Sequence, residues 1–247
     1  LVLESNHSLI LNWNNKTLPL IAELCIANES EGGGVIVVMA ERNKTEMEED
    51  ISNYLVNRRK GSTIVVRSGS PLHLHDLKMV SPKEARSIVI LSEQDLDSDE
   101  RDSMVLRAIL GIKSLCTEKE WNENMKGHIV VEAMDPDNMN LMTSIGFGRV
   151  EGVLSYDMVG RIMVRCAQTP GLSLVLEELL GFEGHEFYLS SHVELVGKTF
   201  REALVSFPEA CVLGIKPADE SVVLNPDNNY TIKSSDQLVF LAEDDDT

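Results

Sequence analysis

Basic residues are scarce in this chain: 22 Lys and Arg stand against 40 Asp and Glu in 247 residues, a formal net charge of −18. A surface so short of cations argues against nucleic acid or an anionic membrane as partner, because phosphates are held by clustered Lys and Arg. It favours cations instead. Long apolar runs are missing too: the longest, such as Val35–Ala40, fall far short of the roughly 20 residues that cross a bilayer. No part of this segment is therefore expected to enter a membrane. The cysteines, Cys25, Cys116, Cys166 and Cys211, form no C-x-x-C pair and have no histidine doublet nearby, so neither a zinc site nor a disulfide framework is indicated and reduced core thiols are expected. Catalytic signatures are absent as well. There is no Ser-His-Asp pattern, H-E-x-x-H, G-x-S-x-G or P-loop, and isolated histidines do not make acid–base machinery. His73 and His75, two residues apart on a short helical stretch, face different ways and cannot share a metal. An enzyme is not expected.

What is present is organised around Ser8–Cys25. An apolar run at Ser8–Trp13 reads as a buried strand, Asn14–Thr17 as a tight turn, and the spacing of Leu20, Leu24 and Ala27 as a helix starting near Pro19. A doubly wound α/β domain begins this way. In a dinucleotide-binding protein the turn reads G-x-G-x-x-G, so that the backbone can approach a pyrophosphate on the helix N-terminus. Here it holds no glycine.

The pattern then repeats. Strands are expected at Val35–Ala40, Ser62–Arg67, Ala85–Ser92, His128–Glu132 and Val150–Leu154, with helices at Lys44–Arg58, Leu72–Val80, Ser103–Leu115 and Met139–Ile145. A repeat of about 25–30 residues, apolar strands alternating with amphipathic helices, is the signature of a parallel sheet. Right-handed crossovers bring the strand ends, and with them Glu41, Asp95–Asp102 and Asp135–Asp137, to one edge. From 155 to 183 two apolar helices, Tyr156–Gln168 and Leu172–Leu180, flank a Pro170-Gly171 break and read as a connector. Short strands and turns from 184 to 247 form a small α+β lobe. The expected fold class is thus α/β: a Rossmann-like doubly wound parallel sheet (1–154), a helix-pair connector and a small C-terminal lobe. Leu1 in place of Met, and the acidic end Glu243–Asp246, are read as the ends of a piece of a longer chain. Five N-x-S/T triplets, at Asn6, Asn15, Asn28, Asn43 and Asn229, are read as chance.

Several stretches resemble one family: SNHSLILNW (5–13), IANESEGGGVIVVMAER (26–42), GSTIVVRSGSPL (61–72), GHIVVE (127–132), YDMVGRIMVRCAQTPGL (156–172), LGFEGHEFY (180–188) and LAEDDDT (241–247). Together they resemble the first RCK (regulator of K⁺ conductance) domain of the Castor/Pollux ion channels. The resemblance spans nearly the whole chain. It departs at Asn12, where the plant members carry glycine, and in the Glu93–Asp102 and Cys116–Lys126 loops. It implies a pore upstream and a second RCK domain downstream, a homotetrameric gating ring opened by Ca²⁺, and an internal membrane, the nuclear envelope in the plant members.

Calcium takes six to eight hard oxygen ligands. Asp95, Asp97 and Asp99 alternate, as do Glu100 and Asp102, so an extended loop turns several carboxylates one way. The glycine and closing acid of an EF-hand loop are missing, so the expected site is discontinuous, with Glu132 or Asp135 joining from the next strand end. The alternative reading is a nucleotide-binding (NAD or ATP) Rossmann sensor, or a dehydrogenase-like domain. It would use Glu41, which follows the second strand where an acid binds ribose, and an atypical phosphate loop.

Overall fold

The computed structural model describes residues 5–93, 96–117, 120–121, 125, 127–182, 184–218 and 221–243. It divides into two compact units, Leu1–Arg165 and Cys166–Thr247.

The first unit opens with β1 (Ser8–Leu11) and α1 (Thr17–Ala27). The strand stops before the apolar run does because Asn12 turns the backbone to φ 72°, a left-handed conformation that asparagine tolerates better than most residues. The position asks for glycine or asparagine, and asparagine fills it. Pro19 sits in the first turn of α1, where a missing N–H costs nothing. Next come β2 (Val35–Ala40), α2 (Lys44–Tyr54), β3 (Thr63–Ser68), α3 (Leu74–Met79), β4 (Ser87–Ile90) and α4 (Ser98–Ser114). The unit continues with β5 (His128–Ala133), α5 (Pro136–Gly146), β6 (Val150–Leu154) and the start of α6 (Ser155–Gln168).

The strands form one six-stranded sheet in the order β3-β2-β1-β4-β5-β6, every pair parallel. Alternation along each strand feeds two cores. Ile10, Ile36 and Val38 pack with Ile21 and Cys25 of α1 and Met47 and Ile51 of α2. Leu9, Leu11, Val37 and Met39 face the other way, onto Leu77 of α3, Ile109 and Ile112 of α4 and Met142 of α5. A sheet covered on both faces explains why its strands read as continuous apolar runs. The order reverses between β1 and β4, and the crevice outside the carboxyl ends of these strands is where such sheets place ligands.

The second unit contains α7 (Leu172–Leu180), β7 (Glu186–Ser190), α8 (Phe200–Ala203), β8 (Cys211–Lys216), β9 (Val223–Leu224) and β10 (Gln237–Ala242). Its strands make an antiparallel sheet in the order β7-β10-β8-β9. Leu195, Phe200, Val212, Ile215, Leu238 and Phe240 form its core. Thr199 and Glu202 close α8 with a reciprocal capping box, which is what lets so short a helix hold.

The cysteines correct one expectation. All are free thiols, but only Cys25 is buried and Cys211 is exposed. Asn28, one of the triplet asparagines, is fully buried and accepts a hydrogen bond from Arg86, an environment closed to a sugar.

Candidate functional site

The β1–α1 turn keeps the place of a phosphate loop and has filled it from within. Asn12 N–H donates to Met39 O (2.9 Å) and Thr17 N–H to Asn14 O (3.2 Å). Asn14 N–H donates to Thr17 Oγ1 and Lys16 N–H to Asn14 Oδ1, both 2.9 Å. A pyrophosphate is bound by such N–H groups when they are vacant. These four N–H groups are taken by the turn and its neighbours, and no glycine lets the backbone approach a diphosphate as closely as a G-x-G-x-x-G turn does.

Beside the turn lies Glu132, near the carboxyl end of β5 and 7% exposed. Its carboxylate pairs with Lys16 Nζ and accepts Ser155 Oγ at 2.7 Å, Ser92 N–H at 3.2 Å and Asn14 Nδ2 at 3.2 Å. Asn14 Nδ2 also donates to Ser92 O, and Asn12 Nδ2 donates to Leu91 O at 2.7 Å. The β1–α1 turn, the ends of β4 and β5, and the start of α6 are thus tied to one buried acid. Burial pushes the Glu132 carboxyl up, but the bonds from Lys16, Ser155 and Ser92 outweigh it and leave the pKa below the ordinary value of 4.5. Glu132 is ionised and coordinatively satisfied.

Across the switch point is a cleft of about 720 Å³, lined by Asn12, Trp13, Asn15 and Leu18 from the first turn and helix, Ala40–Arg42 after β2, and Glu93 and Met104 from the β4–α4 side. Arg42 lies over the Trp13 ring, 5.2 Å from its centroid, and pairs with Asp50 at 2.8 Å. Glu41 is exposed. Neither Glu41 nor Glu93 has an ion-pair partner among the described residues.

The acidic segment departs from the expected extended loop. Helix α4 begins at Ser98 rather than Ser103, because Asp97 caps it, accepting Glu100 N–H at 2.9 Å, and acids in its first turn suit the helix dipole. Asp97, Asp99, Glu100 and Asp102 therefore follow a helical rather than an alternating spacing, and the argument from alternation fails for them. Asp99 and Glu100 are exposed. Asp102 is 2% exposed and accepts from Met134 N–H, Asp135 N–H and Asn138 Nδ2 at 2.9–3.0 Å, anchoring α4 to the β5–α5 turn. Asp135 caps α5 through Asp137 N–H at 2.7 Å. Asp95 lies outside the described residues.

Among the described residues no group of three or more His, Cys, Asp or Glu side chains is disposed to hold one metal ion. Asp102 and Glu132, the two deepest of the expected ligands, already have protein donors on both oxygens. The described carboxylates thus do not fit a preformed calcium site.

Sequence reasoning missed the partners of Glu132. Lys16 in a glycine-free turn was the available signal, since a cation there needs an anion once no phosphate binds. Also unforeseen is a hydrogen-bonded row in the second unit: Ser190 Oγ and His192 Nε2 are 2.6 Å apart, and His192 Nδ1 and Glu194 Oε1 3.0 Å. The imidazole packs edge-on to Phe207.

A doubly wound parallel sheet with its phosphate turn closed by side chains, followed in sequence by a small antiparallel lobe, defines the protein as a Rossmann-like domain of the RCK class. Residues 14–143 match the family described as calcium-activated potassium channel slowpoke-like RCK domain, and residues 156–247 match Castor and Pollux, part of voltage-gated ion channel. Over its whole length the chain is 45% identical to the probable ion channel POLLUX of Arabidopsis thaliana, covering 29% of that protein. It is likewise 45% identical over its whole length to the ion channel CASTOR of Lotus japonicus, covering 28%. The human SLO3 gating ring shares the fold, with a TM-score of 0.61 at 16% identity over 97% of this chain and 44% of that one. The chain belongs to the Castor and Pollux family of ion channels and is an RCK segment of it. It spans little more than a quarter of the length of these curated relatives.

Proposed function

We propose that this chain is the first RCK segment of a channel subunit, that four subunits assemble their RCK segments into a gating ring, and that Ca²⁺ biases the ring toward opening the pore. Its role is regulatory, not catalytic. One observation carries the reading: the whole chain aligns at 45% identity with a protein named as an ion channel while covering 29% of it, as an embedded regulatory module does. Calcium comes from the description of the matching RCK family as calcium-activated. The parts we assign are a sensing lobe (1–154), a connector (155–183) and a second lobe (184–247), on the soluble face of an internal membrane such as the nuclear envelope.

For the cation, the described carboxylates of the expected set that keep an oxygen not engaged by a protein donor are Asp97, Asp99, Glu100 and Asp135. A site of six to eight oxygens needs donors beyond those that the described residues bring together, so no mechanistic step is derived through the ion. Asp102 and Glu132 serve instead as posts that fix the strand ends on which the acidic rim is mounted.

The test is native mass measurement and Ca²⁺ calorimetry on the purified parent channel. A tetramer that takes up Ca²⁺, with affinity lost when Asp97, Asp99 and Glu100 are neutralised together, supports the reading. A monomer or dimer overturns the ring, and absence of Ca²⁺ heat overturns the sensor.

A further inference from the structure

Helix α6 leaves the sheet with little to hold it. It starts at Ser155, directly after β6 ends at Leu154, and none of its residues is buried. A helix ordinarily takes its stability from the apolar face it packs, and over 156–165 that face stays open: Met158, Val159 and Met163 are each at least half exposed. The pair that α6 does form, Asp157 with Arg161 at 2.7 Å, closes within the helix. Among the described residues, the side-chain ties from α6 to the rest of the first unit fall at Ser155 and Tyr156, and both meet Lys16. Lys16 Nζ donates to Ser155 Oγ at 3.1 Å and lies 5.9 Å from the centre of the Tyr156 ring, a cation–π distance. The same ammonium pairs with Glu132, whose carboxylate also accepts Ser155 Oγ at 2.7 Å.

The other end of this clasp is rigid. Lys16 N–H is held by Asn14 Oδ1 at 2.9 Å, and the Glu132 carboxylate by Ser92 N–H and Asn14 Nδ2. A compact ammonium with three donors suits the place, since it serves a carboxylate and a hydroxyl at once while its charge faces a ring. We propose that Lys16 is a positioning residue for α6: it pins the first two residues of the helix to the end of β5, so that the β1–α1 turn and the start of the connector move as one piece. The pinning is a property of the first unit alone. Its use in gating rests on the regulatory reading above.

The test is hydrogen–deuterium exchange of the 247-residue chain, unaltered and with Lys16→Met, Lys16→Arg or Ser155→Ala. The first amides of a helix have no acceptor within it, so the readout is residues 159–163. Lys16→Met should speed their exchange about tenfold, the worth of one hydrogen bond from a charged donor, and leave β2 and β3 unchanged. Ser155→Ala, which keeps the Lys16–Glu132 pair, should loosen the same amides by less, and it carries the test if Lys16→Met does not fold. Lys16→Arg, with charge and donors retained, should exchange as slowly as the unaltered chain. A lysine that served stability alone would loosen the strands as much as the helix. No faster exchange at 159–163 in whichever of the first two variants folds, equal loosening of β2 and β3, or Lys16→Arg as fast as Lys16→Met, each overturns the proposal. A parent channel indifferent to Ca²⁺ would overturn the regulatory reading and leave these outcomes as they stand.

Discussion

Glu132 and Glu41 stand at the same edge of one sheet, at the ends of β5 and β2, and the fold treats them oppositely. Glu132 is buried and receives Lys16, Ser155, Ser92 N–H and Asn14. Glu41 is exposed, with no ion-pair partner among the described residues. Asp102 and Asp99 repeat the contrast within one helix, since Asp102 accepts three hydrogen bonds while Asp99 faces solvent. A carboxylate whose oxygens are filled by protein donors is architecture. One that is left open is available to a ligand.

The contrast breaks most visibly at Glu132. Its replacement by Ala leaves the buried Ser92 N–H without its acceptor, the Asn14 amide with Ser92 O alone and Lys16 without its ion-pair partner. We expect a loss of about 2–4 kcal/mol in urea unfolding, less than for a fully buried pair because Lys16 is half exposed. A loss below about 1 kcal/mol would mean that Glu132 is no more structural than Glu41. Asp102→Ala, which frees three donors at the β5–α5 turn, should cost about 2 kcal/mol by the same measurement.

Acid titration sharpens the comparison. The folded pKa of Glu132 lies below 4.5, so the unfolded carboxyl takes up its proton first as pH falls. The stabilisation is fully present above about pH 4.5 and is lost as pH drops through the folded pKa. Unfolding free energies measured between pH 7 and 3 should therefore fall less steeply for Glu132→Gln than for the unaltered chain. Smaller still is Asp97→Ala, which removes the α4 cap and should cost about 1 kcal/mol. Glu41→Ala, smallest of all, should stay within about 0.5 kcal/mol in the same denaturation.

Much of the fold was legible because a doubly covered parallel sheet writes its strands as unbroken apolar runs, and Val35–Ala40 is such a strand to the residue. Boundaries failed where side chains decide them. Asp97 pulls the start of α4 into the acidic stretch and Asp135 starts α5 at Pro136, because a cap recruits residues that composition assigns to a loop. At the candidate site, Glu41 and the missing glycines could be read directly. The capture of Glu132 by Lys16 and Ser155 could not, since it joins residues more than a hundred positions apart along the chain in one case and 23 in the other. Only the sheet order brings them together.

The most direct test of the regulatory account is the open probability of the parent channel, recorded in membrane patches as free Ca²⁺ on the RCK side is stepped upward. The account predicts that opening rises with Ca²⁺ and that joint neutralisation of Asp97, Asp99 and Glu100 moves the rise to higher concentrations. An open probability that stays constant across the Ca²⁺ series would contradict it.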